Sequence, residues 1–128
     1  DRLLDQGVEQ YNASQIEAAL QSFQQSLDIY QEIKDRQGEG AALGNLGVVY
    51  NSMGGYPKAI DYHERYLKIT QEIKDRTGEG TALNNLGLNY YKIGNLQLAE
   101  SILFQSMKVY ESLRGGLKDN NKITISDT

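Results

Sequence analysis

Residues 31–50 read QEIKDRQGEGAALGNLGVVY, and residues 71–90 read QEIKDRTGEGTALNNLGLNY. Fifteen of the twenty positions are identical at an offset of forty. Working outward, QSFQQSLDIY (21–30) falls on DYHERYLKIT (61–70), with Leu27 over Leu67 and Ile29 over Ile69. A third copy shares the frame: Ala19, Ala59 and Ala99 align, as do Gly7, Gly47 and Gly87. A fixed period of this length is the signature of a repeat architecture, in which each unit buries its apolar face only by stacking on the next. The chain therefore divides into three repeats, about 1–37, 38–77 and 78–117, and residues 118–128 are expected to be the truncated start of a further helix.

Each repeat reads as two helices. In the second, Glu39–Met53 carries Ala42, Leu43, Leu46, Val49 and Tyr50 at helical spacing. Gly54-Gly55 ends that helix, because glycine relieves the left-handed position past a helix end. Pro57 opens the next, in the first turn where its missing N–H costs nothing. That helix is expected to bury Ala59, Ile60, Tyr62, His63, Tyr66, Leu67 and Ile69. Gly94-Asn95 marks the matching turn in the third repeat and Ala13-Ser14 in the first, with Ser14 as N-cap. The Lys-Asp-Arg-x-Gly segments at 34–38 and 74–78 are read as connectors that close each repeat, and Arg114-Gly115-Gly116 as a helix-ending turn. A mid-helix glycine costs about 1 kcal/mol against alanine. Gly47 and Gly87 bear that cost because paired helices approach closely there, with Leu43, Tyr50 and Leu67, then Leu83, Tyr90 and Met107, filling the remaining gaps.

These residues resemble the tetratricopeptide repeat (TPR). Its pattern places Leu-Gly-x-x-Tyr in the first helix, matched by Leu46-Gly47-x-x-Tyr50 and Leu86-Gly87-x-x-Tyr90, then Gly54 and Gly94, Ala59 and Ala99. The first repeat keeps Gly7, Ala19 and Phe23 but has Gln6 and Gln10 in the Leu and Tyr slots. The forty-residue form is similar to LGN/Pins-like or kinesin-light-chain-like repeats, and more so to the arrays of bacterial TPR–CHAT (caspase-like) proteins. The resemblance implies an all-α solenoid, a right-handed superhelix whose first helices line a concave groove. It also implies a cytoplasmic, non-catalytic scaffold module that binds a peptide or protein. Carried over, the groove takes Leu4, Asp5, Val8, Tyr11 and Asn12 from the first repeat. The second supplies Ala41, Gly44, Asn45, Val48, Asn51 and Ser52. The third supplies Thr81, Asn84, Asn85, Leu88, Tyr91 and Lys92. Asn45 and Asn85 are the sharpest candidates, since an amide can pair with a peptide backbone as donor and acceptor; holding neighbouring repeats together is the other reading of the same pair. Val48, Asn51, Asn84, Leu88, Tyr91 and Lys92 complete the expected contact set.

Composition excludes much else. There is no cysteine and one histidine, so disulfides, thiolate sites and polyhistidine metal sites are ruled out. Thirteen basic and seventeen acidic residues leave a net charge of −4, against the basic excess of nucleic-acid binders. No apolar run approaches the roughly 20 residues of a membrane span. The chain begins at Asp1 and is read as a fragment of a longer protein. His63 has Asp61 and Glu64 nearby, but it occupies the register of Phe23 and Leu103, a packing slot. Gly38-x-Gly40 lacks the preceding strand that a dinucleotide loop requires. Glu32, Asp35 and Glu39, with Glu72, Asp75 and Glu79, alternate with Lys and Arg and are read as local ion pairs. No cofactor and no enzymatic activity are expected. The rival reading is a structural spacer or self-association array with an empty groove. Neither end carries an evident polar cap, so some homodimerisation through the repeat ends is expected.

Overall fold

The protein is described here by a computed structural model covering residues 2–126, with side chains described for 2–115. Six helices follow one another: α1 (Arg2–Asn12), α2 (Ile16–Ile33), α3 (Arg36–Ser52), α4 (Tyr56–Glu72), α5 (Arg76–Lys92) and α6 (Leu96–Ser126). No strand occurs among the described residues. Each helix packs chiefly on its neighbours in sequence, and α1 also touches α3. The result is an all-α solenoid of three helical hairpins.

Two kinds of turn alternate. Within each hairpin, the link places Ser14, Gly54 and Gly94 at φ 63°, 77° and 88°. Ser14 is therefore not the N-cap expected from its side chain. The turn needs a left-handed residue at that register, whereas an N-cap is extended, so Gln15 takes the cap position and makes no side-chain cap bond. Between hairpins, Lys34 and Lys74 are left-handed, both at φ 59°. Asp35 and Asp75 then cap the following helices, accepting hydrogen bonds from the N–H groups of Gly38 (3.1 Å) and Gly78 (2.9 Å). The segment read as a connector is thus a two-part signal. Lys34 ends one helix, and Asp35-Arg36 starts the next three residues ahead of the expected Glu39.

The same register fails in the last repeat. Arg114-Gly115 stands where the others have Lys34-Asp35 and Lys74-Asp75, so no carboxylate is present to cap a new start. α6 runs unbroken through the expected turn at Arg114-Gly115-Gly116 and across the boundary expected after residue 117. Residues 118–126 continue α6 rather than begin a separate helix, and residues 127–128 lie outside the described residues. Glycine lowers helix stability by about 1 kcal/mol but does not by itself stop a helix.

Within each hairpin one contact sets the helix spacing. A Cβ on Gly7, Gly47 or Gly87 would lie 2.5 Å from Phe23 Cε1, His63 Cε1 or Leu103 Cδ2, respectively. Beside these contacts Ala19, Ala59 and Ala99 are fully buried. Between hairpins the Tyr30 ring covers Gly38 and the Thr70 methyl lies against Gly78, while within the third hairpin Ser106 Oγ donates to the Gly80 carbonyl at 2.8 Å. Phe23, Leu27, Tyr30, Ala42, Leu43, Leu46, Val49 and Ile69 form the continuous core.

The two ends of the stack differ. Ala42, Leu46 and Val49 of α3 are buried, as are Ala82, Leu86 and Asn89 of α5, but their α1 counterparts are Arg2, Gln6 and Glu9, all exposed. The first end therefore presents a polar face, contrary to the expectation that neither end is capped. On the third hairpin Met107, expected to fill the core, is 49% exposed, because no helix among the described residues other than α5 packs on α6.

If the glycine contacts set the spacing, Gly47→Ala lowers stability by about 1–3 kcal/mol through overpacking against His63, despite its better helix propensity. A Cβ on Gly115 meets nothing within 4 Å, so Gly115→Ala is neutral or stabilising, by up to about 1 kcal/mol. Chemical denaturation of both variants checks the contrast; equal effects contradict it.

Candidate functional site

The α1–α3–α5 side carries a cleft of about 270 Å³. Ala41, Gly44, Asn45 and Val48 of α3 form one wall and Thr81 and Asn85 of α5 the other. The α3 residues fall three and four apart, which places them on one face of the helix. Tyr66 of α4 forms the floor. Gly44 makes room for it, since a Cβ there would lie 3.2 Å from Tyr66 Cδ2, and burial raises the Tyr66 phenol above its usual pKa. Sequence reading placed Tyr66 only in the core. The signal for its second role was Gly40-x-x-x-Gly44, two residues without side chains one turn apart opposite a large ring.

The structure brings Asn45, Asn85 and Val48 together, with Ala41, Gly44 and Thr81. Both amides are partly buried, and no hydrogen bond among the described residues engages either of them. They therefore do not tie repeat to repeat. Val8, Val48 and Leu88, forty residues apart, are 39%, 37% and 46% exposed and form an apolar row. The other candidates separate. Asn51 and Lys92 are exposed near the ends of α3 and α5, and Tyr91 is more than half exposed. The neighbouring Tyr90 instead donates its hydroxyl proton to Glu64 Oε1 at 3.0 Å. Asn84 opens into a different cavity, of about 510 Å³ against α6. Asn89 contrasts with the cleft amides: it is buried in the register of Val49, and its Nδ2 has no partner among the described residues.

The constellations that resemble chemistry resolve into structure. His63 is 1% exposed, packed on Gly47, and its Nδ1 has no partner among the described residues. Asp61 turns to Arg65 at 4.0 Å and Glu64 to Tyr90, so neither orients the imidazole. Of the acidic residues, Asp35 and Asp75 cap helices, while Glu39 pairs with Arg36 (2.8 Å) and Glu79 with Arg76 (2.7 Å). Arg36 also reaches Glu72 across to α4. No group of three metal-ligating side chains occurs among the described residues. The Gly38–Gly47 glycines lie inside α3, without the strand and turn of a phosphate loop. No helix among the described residues is long and apolar enough to cross a membrane.

Comparison with known proteins places this arrangement. The tetratricopeptide repeat family matches residues 8–72 and 43–112. Among solved structures, the TPR domain of Arabidopsis FLU is similar, at 25% sequence identity and a TM-score of 0.82, over 87% of this chain and 93% of that one. No curated protein matches.

Burial pushes the His63 pKa down from its usual 6.5 to about 4. The folded state thus holds the neutral ring, while the unfolded chain takes up a proton below about 6.5. The sign follows from linkage: stability from this group is intact above pH 6.5 and is lost as pH falls toward 4, by on the order of 3 kcal/mol. Replacing His63 by Phe, the residue found at 23, should remove that part of the acid dependence. Urea midpoints measured across the window test it, and an unchanged pH slope in His63→Phe contradicts it.

Proposed function

The chain belongs to the tetratricopeptide repeat family, and from that premise we propose that the α3–α5 cleft binds an extended peptide or a segment of a partner protein, with no catalysis of its own. The observation that carries this reading is the pair of unengaged amides, Asn45 and Asn85, beside the exposed row of Val8, Val48 and Leu88. Backbone pairing by the amides gives affinity, and apolar contact with the row gives preference for particular side chains. Asn51, Asn84, Tyr91 and Lys92 lie outside the cleft wall and extend the contact to flanking residues of a longer ligand. The sequence resemblance supports a parent scaffold of the bacterial TPR–CHAT kind, working in the cytoplasm. The LGN/Pins-like or kinesin-light-chain-like repeat form rests on the same motifs.

A second reading, self-association of copies through a repeat end, is favoured by a separate observation: α6 exposes three large apolar side chains, Phe104 at 52%, Met107 at 49% and Tyr110 at 41%.

A library of random peptides displayed on phage, panned on the 128-residue chain, tests the first reading. Recovered peptides should bind the Asn45→Ala/Asn85→Ala double variant about tenfold or more weakly, the loss expected from two hydrogen bonds of about 0.5–1.5 kcal/mol each. Circular dichroism should be unchanged, because neither amide holds the fold. Peptides that bind the variant equally well, or a variant that loses its helicity, contradict the assignment.

A further inference from the structure

Tyr66, the floor of the α3–α5 cleft, is a residue that the first hairpin does not repeat. Its register there holds Ser26, and the register of Gly44 holds Leu4. The first hairpin thus sets a large side chain at the wall position and a small one at the floor position, and the second reverses them. Two glycines one turn apart make the exchange possible. A Cβ on Gly40 would lie 3.4 Å from Tyr66 Cδ1, and a Cβ on Gly44 would lie 3.2 Å from Tyr66 Cδ2. Opposite edges of the ring therefore face the two glycines, and the ring spans one turn of α3. It is only partly buried, so the rest of its surface is open to the cleft.

The walls decide what can rest on that ring. Ala41, Gly44, Asn45, Val48, Thr81 and Asn85 carry no ionisable group. The Tyr66 phenol, held up first by burial and then by the Asp75 carboxylate, keeps its proton at neutral pH. Asp75 is itself engaged by the Gly78 N–H. A charged ligand side chain in the cleft would lose water and gain no opposite charge from the walls, which is costly. The Asp75 charge adds repulsion for an acidic one. A chain-terminal carboxylate is disfavoured for the same reason: no Lys or Arg lines the cleft, and the wall residues lie beyond the first turns of α3 and α5, where N–H groups are bonded within the helix. At about 270 Å³ the space is smaller than the roughly 300–1,000 Å³ of small-molecule sites. Packed helices stand roughly 8–10 Å apart and extended chain advances roughly 3.3 Å per residue, so about three residues cross from wall to wall. Asn45 and Asn85 stand on the two walls, unengaged, where that backbone passes.

We propose that the cleft selects an uncharged, internal stretch of a partner's chain, and that Tyr66 is its specificity-determining residue, seating one short apolar side chain between Asn45 and Asn85. The assignment deepens the peptide-binding reading and rests on it. The amides hold main chain of any sequence. The exposed row of Val8, Val48 and Leu88 offers general apolar contact, and the ring adds a preference at one ligand position, which fixes the register of the bound segment.

The test uses a random-peptide phage library whose inserts carry fixed sequence on both sides, panned on the 128-residue chain. Synthetic copies of the recovered peptides are then measured by fluorescence anisotropy. They should share an uncharged core, and Lys or Glu placed at a core position should weaken binding about tenfold or more, while the same change in a flank has less than about a threefold effect. The C-terminal amide and the free acid should bind alike. Against Tyr66→Ser, which installs the residue found at 26, one core position should lose its preference for an apolar over a polar side chain and the others should keep theirs. If Tyr66→Ser loses its helicity, Overhauser contacts between the native Tyr66 ring and one apolar side chain of the bound peptide decide the point, and their absence overturns the role of the ring. Cores that tolerate charge, binding that requires the free carboxylate, or no position coupled to Tyr66 overturns this assignment while leaving peptide binding in place. Recovery of no binding peptide overturns the peptide-binding reading itself, and this assignment with it.

Discussion

The structure depends on the contact between a glycine in the first helix of each hairpin and the large side chain facing it from the second. Gly7 meets Phe23, Gly47 meets His63 and Gly87 meets Leu103, each where a single added carbon would collide. Three different large residues fill the same slot, so the requirement is for volume, not chemistry. This explains why the only histidine is a buried neutral ring without a catalytic partner. It also explains why the helices bear three glycines whose intrinsic preference is against them. The spacing set by these contacts seats Ala19, Ala59 and Ala99 and fixes how the next hairpin can lie.

From that spacing the cleft follows. Once α3 and α5 are held by α4 between them, the residues at 41, 44, 45 and 48 face those at 81 and 85, and Tyr66 closes the gap beneath. The turns have the same repeating logic, with a left-handed lysine followed by a capping aspartate. Where that pair is replaced by Arg114-Gly115, the alternation stops and α6 continues. The absence of a carboxylate at 115 thus distinguishes the two capped junctions from the unbroken run of α6.

The period, the helix pairs and the alanine and glycine registers were legible because the chain repeats itself, so each copy checks the others. Asn45, Asn85 and Val48 were legible as a site because helical spacing alone puts them on one face. The start of α3 was hidden because Asp35 sits among charged residues and reads as part of an ion-pair cluster until its backbone partner, Gly38, is seen. Ser14 misled because hydroxyl chemistry suggested a cap where the turn demanded a left-handed backbone. Met107 misled for a different reason: burial in a solenoid is decided by the neighbouring repeat, not by the residue itself. The same dependence makes α1 polar at Arg2, Gln6 and Glu9, where α3 and α5 are mainly apolar.

The most direct test of this account is the nuclear Overhauser spectrum of the His63 ring. Close packing of the two helices predicts a strong cross-peak from His63 Hε1 to the Gly47 Hα proton that occupies the Cβ direction, with no Overhauser effect between Hε1 and water. A ring that shows no contact with Gly47, or a strong Overhauser effect to water, would contradict the close approach on which the hairpins, the cleft and the stack all rest.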